Sequence, residues 1–513
     1  MKSVSENTPQ NTLNRRDFLK TTGTAVAGFT IVPNHVIAGR GHVTPSEKIT
    51  VANIGCGTQG LRELPELLEN PYVQVVSLCD PNKYSEGYRD WSRKGLIERT
   101  RRLLDDPDWG SQLKGIPGGR DLLQQIVNQY YAKQGGVAKY DGPTVYADFR
   151  ELLAQEKDID AVKIMTPDHL HAPIALASLD KGMHTITHKP IANRMYEAKA
   201  VIEKARATGL NTHLLAWSDL VNFKEIRNWI ADGAIGTLQS IHNWSGRPVW
   251  PQYLERPTDT PPIPKGFDWD LWLGPVPDMP YHPNYTHMVF RGWYDFGGGS
   301  VADMGHYSLF PLFQAFGITT PPERAEAYGS TYRILEDGVS GGVDNDYAFP
   351  LSSTIRWQFP TQADLPAFDL YWYDGGIKPF APEELQEDNR KIPREGLMFV
   401  GDKGKIMGDF TGGSPRILPN AKFKKYMTGK KYPKVPQDNK TKTWVDAIRA
   451  DKPSPGNFIE ASCVTETINL GIVAIRTGQE LKYNHKTTKI TNNKSANKLF
   501  TREYRKGWEI KGV

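Results

Sequence analysis

Short apolar runs and stretches of helical spacing alternate along the first part of the chain. Ile49, Val51 and Ile54 read as a buried strand, residues 61–68 as the helix after it, and residues 73–78 as a second strand. Residues 146–153 have helical spacing, and a strand from Ala161 ends in Thr166-Pro167. A helix at 174–181 leads to a strand at 184–187 that ends in His188-Lys189-Pro190. Strands and helices in this alternation predict βαβ units around a parallel sheet. The pattern breaks at 82–141, a polar stretch with two helices near 96–104 and 121–131. It is longer than a βαβ connection needs and reads as an insertion. Further on, residues 353–359 and 367–373 predict neighbouring antiparallel strands, and 396–407 a hairpin with a glycine turn. Residues 422–442 read as a polar loop. Residues 444–450 and 461–478 read as amphipathic helices, the second burying Leu470, Ile472, Val473 and Ile475.

The first strand–helix junction carries the clearest chemistry. Gly55, Gly57 and Gly60, with Thr58 and Gln59 between them, give G-x-G-x-x-G at the end of a strand and the start of a helix. The first glycine permits a tight turn, the second lets a pyrophosphate approach, and the third lets helix pack on strand. The helix end then offers unpaired N–H groups to the phosphates. Asp80 ends the second strand twenty residues after Gly60, where an acid binds the ribose hydroxyls. The cofactor expected is NAD, with NADP disfavoured by that acid.

Composition changes little of this. The 513 residues carry a formal charge of +5, small for the length, and indicate two or three domains with no nucleic-acid surface. Cys56, Cys79 and Cys463 are the three cysteines; they read as packing residues, and no Cys/His spacing suggests a metal. At the N-terminus, Arg15-Arg16 precede an apolar run at 21–32 and then Ala38-Gly39. A twin arginine before an apolar segment too short to span a bilayer predicts a Tat signal and a periplasmic protein. No membrane span is expected in the mature chain.

Glycine triplet, acid, Thr166-Pro167 with His171 behind it, and Lys189-Pro190 come in the order found in Gfo/Idh/MocA oxidoreductases. The chain resembles that family over roughly residues 46–510. The resemblance implies an α/β protein with an N-terminal Rossmann domain and a C-terminal α+β domain built on an open, mainly antiparallel sheet. The expected division is signal and linker 1–45, Rossmann domain 46–190, substrate and oligomerisation domain 191–490, and a tail 491–513 packed on the body. The family places the lysine of its Glu-Lys-Pro motif beside the nicotinamide, holding the substrate hydroxyl. Lys189 matches it, while His188 stands where the glutamate is usual. Thr166, Pro167, His171 and His188 are carried over as cofactor contacts.

The second half of the family's site is a glycine run, an Asp, and a His four residues later on one helix face. Asp303 matches the acid; Tyr307 occupies the fourth position and His306 falls one earlier. The expected catalytic set is therefore Lys189, Asp303, Tyr307 and His306, with Lys189 lowering the tyrosine pKa. Aromatic residues crowd into 244–296, and Arg291, Trp293 and Tyr294 are the expected sugar contacts, at least half of the aromatics being structural. The implied activity is hydride transfer between NAD and a hydroxyl carbon of a sugar or glycoside, C3 by preference, in a homo-oligomer. The alternatives are an NAD-dependent glycoside hydrolase using transient oxidation, and a sugar-binding protein that has lost turnover.

Overall fold

Strands β1 (Ile49–Ile54), β2 (Val73–Cys79), β3 (Thr144–Tyr146), β4 (Ala161–Ile164), β5 (His184–Thr187) and β6 (Thr212–Leu214) pair in parallel. Their order is β3-β2-β1-β4-β5-β6, the doubly wound order whose switch point lies between β1 and β4. Both faces are covered, as parallel sheets require. Val51 meets Leu61 and Leu64 of the helix Thr58–Leu68 in one core, while Ala52 and Ile54 share another with Ala172, Ile174 and Ala175 of the helix His171–Asp180. This computed structural model describes residues 43, 45–134, 142–343, 345–436 and 439–510. The twin-arginine segment, and the expected export signal with it, lies outside the described residues. Before Lys48, a short turn at Pro45–Glu47 is described; Lys48 onward forms a separate unit. Among the described residues no helix is long and apolar enough to cross a membrane.

Three details differ from the reading of the sequence. Tyr146, expected to open a helix, ends β3 instead because Ser77 to Cys79 offer Thr144–Tyr146 a free edge, and the helix runs Phe149–Gln155. β6 lies beyond residue 190, so the first sheet takes its last strand from the stretch expected to open the second domain. The insertion is packed into the core beside β1 and β2 through Leu96, Leu103, Leu104, Leu122, Leu123, Ile126 and Val127.

The second sheet has nine strands centred on β7 (Leu238–Trp244), which pairs parallel with Phe368–Tyr373 and antiparallel with Gly396–Gly401. Every other neighbouring pair in it is antiparallel. On Ser353–Phe359 alternate residues are buried, so one face packs on helices and the other stays half-exposed. The helix Ser462–Thr477 is buried at every position from Cys463 to Ala474, not on one stripe as expected, because it runs through the middle of the domain. The polar loop expected at 422–442 contains a helix, Asn420–Tyr426, and ends in the first turn of another, Lys440–Arg449.

Burial of uncharged histidines gives the fold a pH signature. Burial holds His169, His213, His287 and His306 at about 3, and His242 at about 4, against an ordinary value of 6.5. These five side chains are neutral in the native state and take up protons below about pH 6.5 once unfolded. Buried Asp80 and Asp374 act oppositely, since burial raises them to about 6 and about 7 and the native state protonates first. His171, His184 and His188 are lowered as well, so the protons that favour the unfolded chain outnumber the two that favour the native one, and stability rises with pH across this window. We expect Tm to fall steadily as pH is lowered from about 6.5 to about 4; a flat Tm over that range would show that these histidines are charged in the fold.

Candidate active site

The glycine loop has the shape a dinucleotide needs. Gly55 has φ +102°, and a Cβ there would lie 2.5 Å from the Met165 carbonyl carbon; a Cβ on Gly60 would lie 2.2 Å from the Gly55 oxygen. Both positions exclude any side chain, which fixes how closely helix and strand approach. Gly57 is different: its would-be Cβ meets only the edge of the Tyr88 ring, at 3.1 Å, so its backbone stays open to the cleft. No side chain caps the helix Thr58–Leu68, leaving its first N–H groups for an anion. Asp80 lies at the rim of the same cleft. Its Oδ2 accepts from the Cys56 N–H and its Oδ1 from the Asn82 N–H, each at 2.7 Å, so the carboxylate is pinned. These residues fit a dinucleotide.

The cleft encloses about 320 Å³ and runs from Gly55, Gly57, Thr58, Gln59 and Asp80 past Thr166 and Pro167 to His188, Lys189, Arg291, Asp303 and Tyr307. β5 delivers Lys189 to its floor, and the turn Val301–Gly305, wound as a π-helix before the helix His306–Phe316, delivers Asp303. The Lys189 Nζ donates to Asp303 Oδ1 at 2.5 Å, with Lys189 buried. The same carboxylate meets Arg247 Nε at 3.2 Å and Arg291 Nε at 3.4 Å, and Arg291 also pairs with Asp168 at 3.0 Å. Two carboxylates thus face three cations. Burial alone would raise Asp303, but Lys189, Arg291 and Arg247 hold it down at about 2. Burial, aided by the Arg291 charge, pushes the Lys189 ammonium down to about 8 against the pull of Asp303. An amine near that value exchanges its proton readily at neutral pH.

Tyr307 projects into the cleft, and its hydroxyl lies 3.0 Å from His188 Nε2. Lys189 was expected to lower this phenol, but burial, with Glu63 and Asp303 nearby, raises it instead. His188 is driven well below 6.5 by burial and by Lys189 and Arg291. Tyr307 and His188 therefore meet as a neutral pair. His306 is turned away: it does not line the cleft, and its Nδ1 faces the Ala302 carbonyl at 3.1 Å. Tyr307→Phe should cost activity by freeing His188, though less than the about 10²–10⁴-fold of an acid–base group, and His306→Asn should cost less still. Steady-state rates of both variants decide it, and a larger loss at His306 would mean the helix is rotated by one residue.

A scan against family models matches residues 111–214 to the oxidoreductase family with an NAD-binding Rossmann fold, and residues 222–320 and 385–510 to that family's C-terminal alpha/beta domain. The chain belongs to the Gfo/Idh/MocA oxidoreductase family. Among curated relatives, levoglucosan dehydrogenase of Pseudarthrobacter phenanthrenivorans is 32% identical over 116 residues, 20% of this chain and 28% of that one. Alpha-N-acetylgalactosaminidase of Shewanella oneidensis is 24% identical over 245 residues, 44% of each chain. The chain thus spans less than half the length of the curated relatives it matches. The crystal structure of the WlbA dehydrogenase from Bordetella pertussis, in complex with NADH and UDP-GlcNAcA, is 13% identical with a TM-score of 0.49, covering 85% of this chain and 99% of that one.

Within this Gfo/Idh/MocA chain, several expected contacts lie elsewhere. His171 is buried behind the cleft, bridging the Pro190 and Thr166 carbonyls at 2.6 and 2.9 Å, so it braces the two loops. Trp293 is buried among Tyr253, Tyr285 and Tyr347, with its Nε1 donating to the Asn284 carbonyl at 2.7 Å. Tyr294 packs on Phe349 at 4.2 Å. Of the three expected sugar contacts only Arg291 lines the cleft. Other residues were not foreseen. Asp168, inside the Thr-Pro-Asp motif, holds Arg291 and the Gly298 N–H. Arg247 comes from the loop after β7 and Lys440 from the supposed polar loop, its Nζ 4.8 Å from the Tyr307 ring centre. Tyr88 and His287, their rings tilted against each other at 4.1 Å, wall the cleft beside Gly57. Asp168 had a signal in its motif; the rest had none, being isolated residues far apart along the chain.

Proposed function

We propose that this protein oxidises and reduces a hydroxyl carbon of a sugar or glycoside, C3 by preference, with NAD held in the cleft. One observation carries the reading: the buried Lys189–Asp303 pair lies in the same cleft onto which the glycine loop opens. Bound there, NAD supplies the hydride acceptor and donor. The protein's own groups do the rest. The neutral Lys189 amine takes the hydroxyl proton as the carbinol carbon is oxidised, and returns it on reduction. Asp303 orients that amine, and Arg247 and Arg291 hold Asp303 ionised. Tyr307 and His188 contribute a neutral hydrogen-bonded pair beside the reacting hydroxyl. The surplus of positive charge stabilises an oxygen that is becoming anionic.

The galactosaminidase relative supports a second reading, in which the oxidation is transient: C3 oxidation acidifies the C2 proton, elimination and water addition follow at C1, and reduction restores the carbinol. Purified protein incubated with a panel of glycosides separates the two. A keto-glycoside with reduced bound cofactor supports net oxidation, and free sugar with the cofactor returned to its starting state supports hydrolysis. No change in cofactor absorbance together with no released sugar from any glycoside would leave only a sugar-binding role.

Asp80 supports NAD over NADP, since its carboxylate suits the ribose diol and repels a 2′-phosphate. The nearby Arg120 donates its Nη1 to the Asp80 main-chain carbonyl at 2.7 Å and is engaged there. Because burial raises Asp80 to about 6, its repulsion fades in acid. We expect the NAD preference to narrow below about pH 6, and Asp80→Ser to narrow it at all pH values, measured by titrating cofactor-free protein. Tighter NADP binding by the wild type at neutral pH would remove Asp80 from this role.

A further inference from the structure

Behind the catalytic floor is a second, much smaller cavity, with room for about one water-sized sphere, roughly 10 Å³. Arg194, Met195, Tyr294, Asn469 and Arg476 are among its walls. Arg194 is 6% exposed, yet it makes no ion pair among the described residues. Its Nη1 donates to the adjacent Asn193 carbonyl at 2.8 Å, and its Nε–H meets no acceptor among the described residues. The carboxylates closest in charge are already engaged. Glu197 accepts from Arg502 at 2.6 Å and from the Tyr504 hydroxyl at 2.9 Å, and Asp295 pairs with Arg256 at 3.4 Å. Arg502 adds a further positive charge, which disfavours the Arg194 cation still more.

Two other sources of positive potential converge on the same space. Arg476, half-buried, reaches the cavity with its guanidinium 4.8 Å from the Tyr294 ring centre. The helix Met195–Thr208 begins there: Arg194 is its N-cap residue and supplies no side-chain cap, so the first-turn N–H groups lack that partner. A buried guanidinium without a carboxylate is costly, and a neighbouring cation and a helix N-terminus make it costlier.

We propose that this cavity binds one monovalent anion of halide size, chloride being the fitting case, between Arg194, Arg476 and the start of the helix Met195–Thr208. A water molecule fills the space and satisfies the Nε–H but adds nothing to the partial compensation that Glu197 and Asp295 give the charge. Phosphate and sulfate are too large for it. The anion ties the turn that follows Lys189-Pro190 to the segment at Tyr294 that leads into Asp303, so it braces the two halves of the active site from behind.

The test is thermal unfolding of the full-length protein in chloride and in gluconate at matched ionic strength, with a bromide-soaked crystal measured at the bromine edge. Chloride should raise Tm saturably by roughly 2–4 °C, Arg476→Leu should abolish that rise, and an anomalous peak should appear between Arg194 and Arg476. Equal Tm values in the two salts, or a chloride effect that persists in Arg476→Leu, would overturn the site. The wild-type crystal decides the matter even if the variant misfolds, since a cavity holding water and no bromide refutes the proposal. Failure here leaves the glycoside reading untouched, because neither arginine lines the catalytic cleft.

Discussion

Methionine in place of Lys189 should lower turnover by roughly 10²–10⁴-fold while NAD binding changes little. Among the described groups lining the cleft floor, Lys189 is the one whose proton affinity lies near neutrality, at about 8. Tyr307 is pushed up by burial, His188 is pushed down, and Asp303 stays ionised to about 2. Methionine keeps most of the volume of the lysine stem, so packing against the Tyr307 ring survives. The carboxylate it leaves behind still has Arg247 and Arg291 as partners, so the fold should hold. Lys189→Arg is the sharper control. It restores the charge on Asp303 but cannot give up a proton, and should stay nearly as slow as the methionine variant. Single-turnover absorbance of the bound cofactor reads both. Near-normal rates in Lys189→Arg would show that the residue acts by charge alone and that the base lies elsewhere.

Removing the acid is the larger structural insult. Asp303→Ala leaves Lys189, Arg247 and Arg291 around an empty position, with Asp168 alone, through Arg291, to answer three cations. Breaking a buried pair by deleting one partner costs about 3–5 kcal/mol, and we expect a loss of that order in denaturant unfolding. The pH dependence gives an independent check. Asp303 is at about 2 in the fold against 3.8 for an ordinary aspartate, so its stabilisation is present above about pH 3.8 and lost as pH falls toward 2. Asp303→Asn should lack that loss. It should also move the Lys189 titration below about 8, because the carboxylate that favours the ammonium is gone. A variant as stable as the wild type would mean that the three cations disperse rather than stay confined.

Much of this was legible in the residues. The glycine loop and Asp80 announce themselves because each is held by a local constraint, a turn or a strand end, and Lys189 and Asp303 came with the family resemblance their motifs carry. The same locality let the strand–helix alternation predict the parallel sheet, and Ser353–Phe359 its partner strand. The reading failed where position depends on packing at long range. Trp293, Tyr294 and His171 carry the right chemistry, but burial turned them into an aromatic core and a brace. No spacing rule marks Arg247 or Lys440, which reach the site from segments separated from Lys189 by whole elements.

The sequence alone determined that there is a dinucleotide turn and an acid after the second strand, and its motif order carried the resemblance that singles out Lys189 and Asp303. Those follow from period, steric exclusion at glycine, and motif order along one chain. Only the tertiary structure decided the charges. Whether Lys189 titrates near neutrality, whether Tyr307 is a phenol or a phenolate, and which neighbour of Asp303 faces the cleft all depend on desolvation and on cations from four separate segments. Such fields sum over distance in space, and distance along the chain carries no record of them.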